Sequence, residues 1–106
     1  MRVGIFNGTV ATTNGLYRIS DISLNEAKLL LHKNGYVSAV GHESTAEIMS
    51  ELMEMDIQAN RINFIQMVGQ KAVVFKLNRR PKEGSILTKE EVEQVGYSFK
   101  LMERLE

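Results

Sequence analysis

Apolar and polar positions alternate along Arg2–Asn7, with Val3 and Ile5 toward one side, and that period of two predicts a first strand. Asn7-Gly8 ends it, a dipeptide suited to a turn or to close approach of the backbone. Residues 9–15 are polar and predict a loop, after which Tyr17–Ile22 reads as a short second strand. From Leu24 the period lengthens, and Leu24, Ala27, Leu30 and Leu31 share one helical face. Ser23 and Glu26 stand at capping-box spacing in front of it, so a helix is expected to about His32, with Asn34-Gly35 as its stop. Tyr36–Val40 predicts a short buried strand. Ser44 and Glu47 repeat the capping-box spacing and predict a second helix over about Thr45–Met55. Its apolar residues (Ala46, Ile48, Met49, Leu52, Met53, Met55) cover more than a narrow stripe. That width predicts two packing surfaces, one of them open to a partner subunit.

Arg61–Met67 and Lys71–Asn78 read as a hairpin around Val68-Gly69-Gln70. Thr88 and Glu91 form a third capping-box pair ahead of a short helix to about Val95, and the end reads as a strand on the alternation of Tyr97, Phe99 and Leu101, preferred over a continuing helix. Strands both adjacent in a hairpin and separated by helices predict an α+β fold: a mixed sheet with helices packed on one face.

With 106 residues this is the length of a single small domain, covering 1–106, and a domain of that size gains from oligomerisation. Thirteen basic residues balance thirteen acidic ones, which excludes a polybasic protein held to nucleic acid by bulk charge. The absence of cysteine excludes disulfide frameworks, thiolate metal sites and cysteine nucleophiles. No apolar run approaches the roughly 20 residues of a membrane helix. Neither is there the apolar stretch of a signal peptide at the start, so a soluble, cytoplasmic protein with no membrane partner is expected.

His42 draws attention by its position, between Gly41 at a strand end and a capped helix whose free N–H groups and dipole favour an anion. An imidazole there can meet a phosphate and exchange a proton near neutral pH, or can be a plain turn residue beside Glu43. His32, near a helix C-terminus, is accounted for by the helix dipole. Arg79, Arg80 and Lys82 form a short basic loop closed by Glu83-Gly84, and Asn60-Arg61 opens the predicted hairpin. Each arginine can clamp phosphate oxygens with its planar fork or simply be solvated. Glu43, Glu47, Glu51 and Glu54 line one side of the second helix, which argues against its lying in a duplex DNA groove. Two histidines ten residues apart match no zinc spacing, and no phosphate-cradling glycine motif occurs.

Asn7-Gly8, then Val40-Gly41-His42-Glu43-Ser44-Thr45, then Asn60-Arg61, then Arg80-x-x-Glu83-Gly84-x-x-Leu87-Thr88-x-Glu90-Glu91 occur in order over nearly the whole chain. This ordered set resembles small viral and mobile-element proteins long classed as a domain of unknown function, among them the type III anti-CRISPR ring nucleases. The resemblance implies a homodimer with a cleft on its two-fold axis and cyclic tetra-adenylate as substrate. A ring of four identical nucleotides suits two identical half-sites. The implied cleavage to linear di-adenylate needs no metal and no cofactor. A ribose 2′-hydroxyl attacks the neighbouring phosphorus, His42 is the general acid, Arg80 holds the non-bridging oxygens, and Glu83 orients Arg80 or His42. Substrate contacts are expected from Asn7, Gly8, Gly41, Ser44, Asn60 and Arg61. The loop Thr9-Val10-Ala11-Thr12-Thr13 stands where the resemblance implies a substrate hydroxyl contact and leaves open which threonine makes it. If the protein is viral it acts in the host cytoplasm.

Two other classes compete with this enzyme: a dimer that sequesters a cyclic nucleotide without cutting it, and a mobile-element factor that binds DNA or protein. Product formation separates the first from the enzyme, and duplex binding with steep salt dependence identifies the second.

Overall fold

The strand carrying Val3 and Ile5 is buried on both faces, and it sits inside the sheet with neighbours on either side. The computed structural model describes residues 1–8, 11–79 and 88–106. Its elements run β1 (Val3–Phe6), β2 (Tyr17–Ile22), α1 (Leu24–Asn34), β3 (Tyr36–Ser38), α2 (Glu43–Met53), β4 (Lys71–Leu77), α3 (Lys89–Val95) and β5 (Tyr97–Arg104). The strands form one sheet in the order β2-β5-β4-β1-β3. β1 is parallel to both β3 and β4, while β5 is antiparallel to β4 and β2. The C-terminal ends of β1, β3 and β4 therefore share one rim of the sheet. This is the expected mixed α+β domain.

Side-chain alternation divides the sheet into two unlike faces. Val3, Ile5, Val73, Phe75 and Phe99 point to one face, where Ala27 and Leu31 of α1, five residues of α2 and Val92 of α3 pack on them. Helices on one face are thus as expected. Two of the three capping boxes form as the spacing predicts, Ser23 with Glu26 and Thr88 with Glu91. The wide apolar side of α2 is consumed within the chain: Ala46, Ile48, Met49, Leu52 and Met53 are all buried against the sheet and its neighbours. The expectation that this helix keeps a surface for a partner is therefore corrected.

Two boundaries of α2 also differ. The helix starts at Glu43, with His42 as N-cap, and Ser44 lies inside the first turn where its hydroxyl cannot cap; the Ser44–Glu47 box does not form. It ends two residues before Met55, because Glu54 turns left-handed (φ 54°) and the Ser50 hydroxyl accepts from Ile57 N at 2.9 Å.

The second face carries Phe6, Ala72, Val74 and Met102. No helix of the described residues covers it; residues 62–68 cross it as irregular chain. The expected hairpin strand at Arg61–Met67 is therefore absent, although the turn before β4 is present, with Gln70 N donating to Met67 O at 2.9 Å. The alternation of this segment is real, but Phe64 and Gln66 are its inward residues. Phe64 packs edge-on to Phe6 at 5.5 Å, over Gly4, where a Cβ would come within 2.9 Å of its ring. Gln66, 1% exposed, donates through Nε2 to Gln70 O at 3.0 Å and to Met102 O at 3.1 Å. Arg104 holds the same segment from β5 by donating through Nη1 to Gln66 O at 2.5 Å.

Replacing this amide with an apolar side chain, Gln66→Leu, removes both hydrogen bonds in a buried site. We expect a loss of about 1–3 kcal/mol in urea unfolding. A midpoint equal to that of the unmodified chain would show that the amide does not hold the segment.

Candidate functional site

The chain leaves β3 at Ser38 and reaches α2 at Glu43 through four residues, and that short link is held from outside. Residues 56–61 run beside it. The Tyr36 hydroxyl donates to Asp56 O at 2.9 Å, and Ser38 Oγ to Gln58 O at 2.6 Å. Asn60 N donates to Val40 O at 2.7 Å, and Asn60 Nδ2 to Ser38 O at 2.9 Å. Arg61 Nε then donates to Gly41 O at 2.9 Å. This ladder covers the exposed edge of the sheet and fixes the direction in which the chain enters α2.

His42 is consequently presented at the carboxyl rim, exposed, with its backbone carbonyl accepting from Ala46 N at 3.1 Å. It makes no side-chain cap, so the first N–H groups of α2 have no side-chain acceptor from the N-cap. Gly41, His42, Ser44, Asn60 and Arg61 are thus brought into one neighbourhood. Asn7 and Gly8 follow directly on the end of β1, the strand paired with β3, and so stand at the same rim. Asn60 is spent on the backbone of Ser38 and supports the site from behind; Arg61 is exposed. In open sheets the crevice beyond the carboxyl ends of parallel strands is where ligands bind.

Among the described residues no contact demands either rim glycine. A Cβ on Gly8 would meet none of them within 4 Å, and one on Gly41 would meet only Arg61 Cγ at an ordinary 3.7 Å; neither residue has a positive φ. Both are half-buried and carry no side chain at this rim.

Of the remaining sequence candidates, one shares the rim. Arg79 is exposed just beyond β4, at the same rim. Arg80, Lys82 and Glu83 lie outside the described residues, as do Thr9 and Val10. Of the loop threonines, Thr12 Oγ1 donates to Phe64 O at 2.6 Å and Thr13 Oγ1 stands 2.6 Å from the Tyr17 hydroxyl, so both are engaged in structure. His32 lies in the last turn of α1, before β3, at the opposite end of the sheet from His42.

One groove of about 640 Å³ runs between α2 and residues 56–59, lined by Glu43, Glu47, Glu51 and Asp56 together with Ser50 and Gln58. Four carboxylates make it hostile to a phosphate. It is separate from the rim although it begins one residue away from His42.

One residue at the rim is not signalled by any motif. Lys76 lies two positions beyond Val74 on the second face of the sheet, opposite Ser98, and is exposed. Only the strand register places it there.

The family described as STIV B116-like matches residues 3–99 of the chain. The uncharacterized protein YddF of Bacillus subtilis is 38% identical over 108 residues, spanning all of both chains. Uncharacterized protein 26 of a Sulfolobus islandicus filamentous virus is 38% identical over 84 residues, 78% of this chain and 71% of its own. Among solved structures, B116 of Sulfolobus turreted icosahedral virus superposes with a TM-score of 0.79, covering 98% of this chain and 100% of that one at 21% identity. The last likeness is one of fold.

Because neither rim glycine meets a close contact among the described residues or has a positive φ, Gly8→Ala and Gly41→Ala should each leave stability within about 0.5 kcal/mol in urea unfolding. Gly96→Ala, at φ 86°, should cost more than about 1 kcal/mol. A large loss at Gly8 or Gly41 would mean that these glycines serve the fold.

Proposed function

The chain belongs to the STIV B116-like family, and we propose that it is a metal-independent ring nuclease that opens cyclic tetra-adenylate to linear di-adenylate and so antagonises type III CRISPR signalling. The observation that carries this reading is the exposed His42 at the uncapped start of α2, beside the bare backbone of Gly41 and the guanidinium of Arg61. A helix start that favours an anion and an imidazole able to donate a proton support the reading.

In the proposed reaction the ribose 2′-oxygen forms a bond to the adjacent phosphorus as the bond from phosphorus to the 5′-oxygen breaks. The 2′-hydroxyl proton passes to solvent, and His42 delivers a proton to the departing 5′-oxygen. The products are a 5′-hydroxyl and a 2′,3′-cyclic phosphate. A positioned acid of this kind contributes about 10²–10⁴-fold. N–H groups at the start of α2 and the Arg61 guanidinium would stabilise the charge on the non-bridging oxygens. The resemblance assigns the principal clamp to Arg80 and its orientation to Glu83.

The reading includes a homodimer, which supplies the second half-site. A surface suited to it lies on the covered side of the sheet. There Ile65, Met67 and Val68 are 54%, 63% and 56% exposed along one ridge of segment 62–68. Apolar groups left outward in this number are unusual for an isolated domain. A second function is favoured by one feature: among the described residues no side chain hydrogen-bonds to His42 to fix its ring. A protein that binds the cyclic nucleotide and holds it intact needs no such orientation.

Incubation with cyclic tetra-adenylate in EDTA, followed by chromatography and mass analysis, should yield linear di-adenylate. His42→Ala should lower kcat by about 10²–10⁴-fold while ring affinity changes little. Stoichiometric protection of an intact ring would select the sequestering reading, and no binding would remove both. On size-exclusion chromatography with light scattering the chain should run as a dimer, and Ile65→Glu with Met67→Glu should convert it to monomer.

A further inference from the structure

We infer that Lys76 is a phosphate-binding residue of this same site, and that the ligand lies along the second-face side of the rim, between Lys76 and Arg61, over the backbone of Gly8 and Gly41. The inference rests on the cyclic-oligoadenylate reading above. It starts from register. Phe6 pairs with Val74, and two residues further along stand Lys76 in β4 and Gly8 just past the end of β1. The β1–β3 pairing ends at Ile5–Ser38, and Gly8 and Gly41 each stand three residues past it. The carboxyl rim thus carries, in strand order, Ser98, Lys76, Gly8 and Gly41, with Arg61 Nε donating to the Gly41 carbonyl at its far end.

Adjacent strands are about 4.8 Å apart, so the row from Lys76 to Gly41 spans about 10 Å, with no side chain on its last two positions. A cation at each end with two glycines between them suits an extended phosphodiester segment: charge holds two phosphates, and neither glycine puts a side chain between them. Gly8 gives this weight, because among the described residues nothing stands within 4 Å of where a side chain would begin and the sequence has none.

The neighbouring lysine sharpens the choice. Lys100, one row lower and opposite Val74, is in close ion-pair contact with Asp21 on β2. Its charge is already answered within the sheet. Lys76 has no carboxylate partner among the described residues and is the cation of this face available to a ligand. Lys71, at the opposite end of the same strand, is equally exposed and supplies an internal control.

The test is the affinity of the full-length His42→Ala chain, in which the ring persists, for cyclic tetra-adenylate at several salt concentrations. Adding Lys76→Gln should weaken binding about tenfold, the worth of one charge-assisted hydrogen bond. It should also lower the slope of log Kd against log salt by about 0.7 for each phosphate no longer neutralised. Lys71→Gln should change affinity less than twofold and leave the slope alone. Unchanged affinity and slope in Lys76→Gln would overturn the inference while leaving the cyclic-nucleotide reading in place. Failure of the His42→Ala parent to bind the ring at all would overturn the reading and the inference with it. Weaker binding in Lys76→Gln without a change in slope would assign Lys76 a structural role and also overturn the inference.

Discussion

The ladder between residues 56–61 and the end of β3 is the constraint on which the site depends. Its donors are modest one by one, each a hydrogen bond of about 1 kcal/mol net. Together they settle three matters. They cover a sheet edge, they turn the chain into α2 at Glu43, and they bring Arg61 against Gly41, twenty residues away in sequence. With the link held by Asn60 on Ser38 and Val40, the helix begins at Glu43 and the N-cap falls on His42, not on Ser44 where the local spacing would put it. The place of the imidazole at the helix start is therefore tied to a tertiary contact.

That contact explains how far the site was legible in the sequence. Elements whose signals are local came out with nearly correct bounds: β2, α1, α3 and β5 follow from alternation and from capping boxes at Ser23 and Thr88. The same spacing at Ser44 and Glu47 misleads, because the chain entering α2 is held by Asn60 and Arg61 and the cap falls on His42. Segment 61–67 misleads for a related reason. Its period of two is genuine, but Gln66 is the fully buried residue while Ile65 and Met67 face outward. Hydrophobic patterning assumes the apolar set turns inward. Here a buried amide satisfies backbone carbonyls and inverts the pattern.

Rim residues divide along the same line. Asn7, Gly8, Gly41 and His42 stand at strand ends and are readable from turn signals. The nearness of Asn60 and Arg61 to them is not, since it depends on a return path with no regular secondary structure. Lys76 was hidden differently. It sits in an ordinary strand, and its place at the rim follows only from its pairing with Ser98 and from the parallel register of β1 with β4.

A net charge of zero is compatible with an anionic ligand because the charges are sorted in space. Glu43, Glu47, Glu51 and Asp56 line the groove on the outer side of α2, whereas Arg61, Lys76 and Arg79 stand at or beside the carboxyl rim. Local potential depends on this arrangement and not on the sum. Screening at physiological salt acts over about 8 Å, shorter than the 16.5 Å or so of an eleven-residue helix such as α2. Glu51, about 12 Å along that helix from Glu43, is thus largely screened from the rim, but Glu43 and Glu47 are not. Glu43 adjoins His42 and its charge favours the start of α2, so an incoming phosphate must compete with it for the same N–H groups. A strongly charged ligand with several phosphates can win that competition by engaging Arg61 and Lys76 at the same time, where a lone phosphate ion cannot. The rim is accordingly suited to a polyanion that reaches across it.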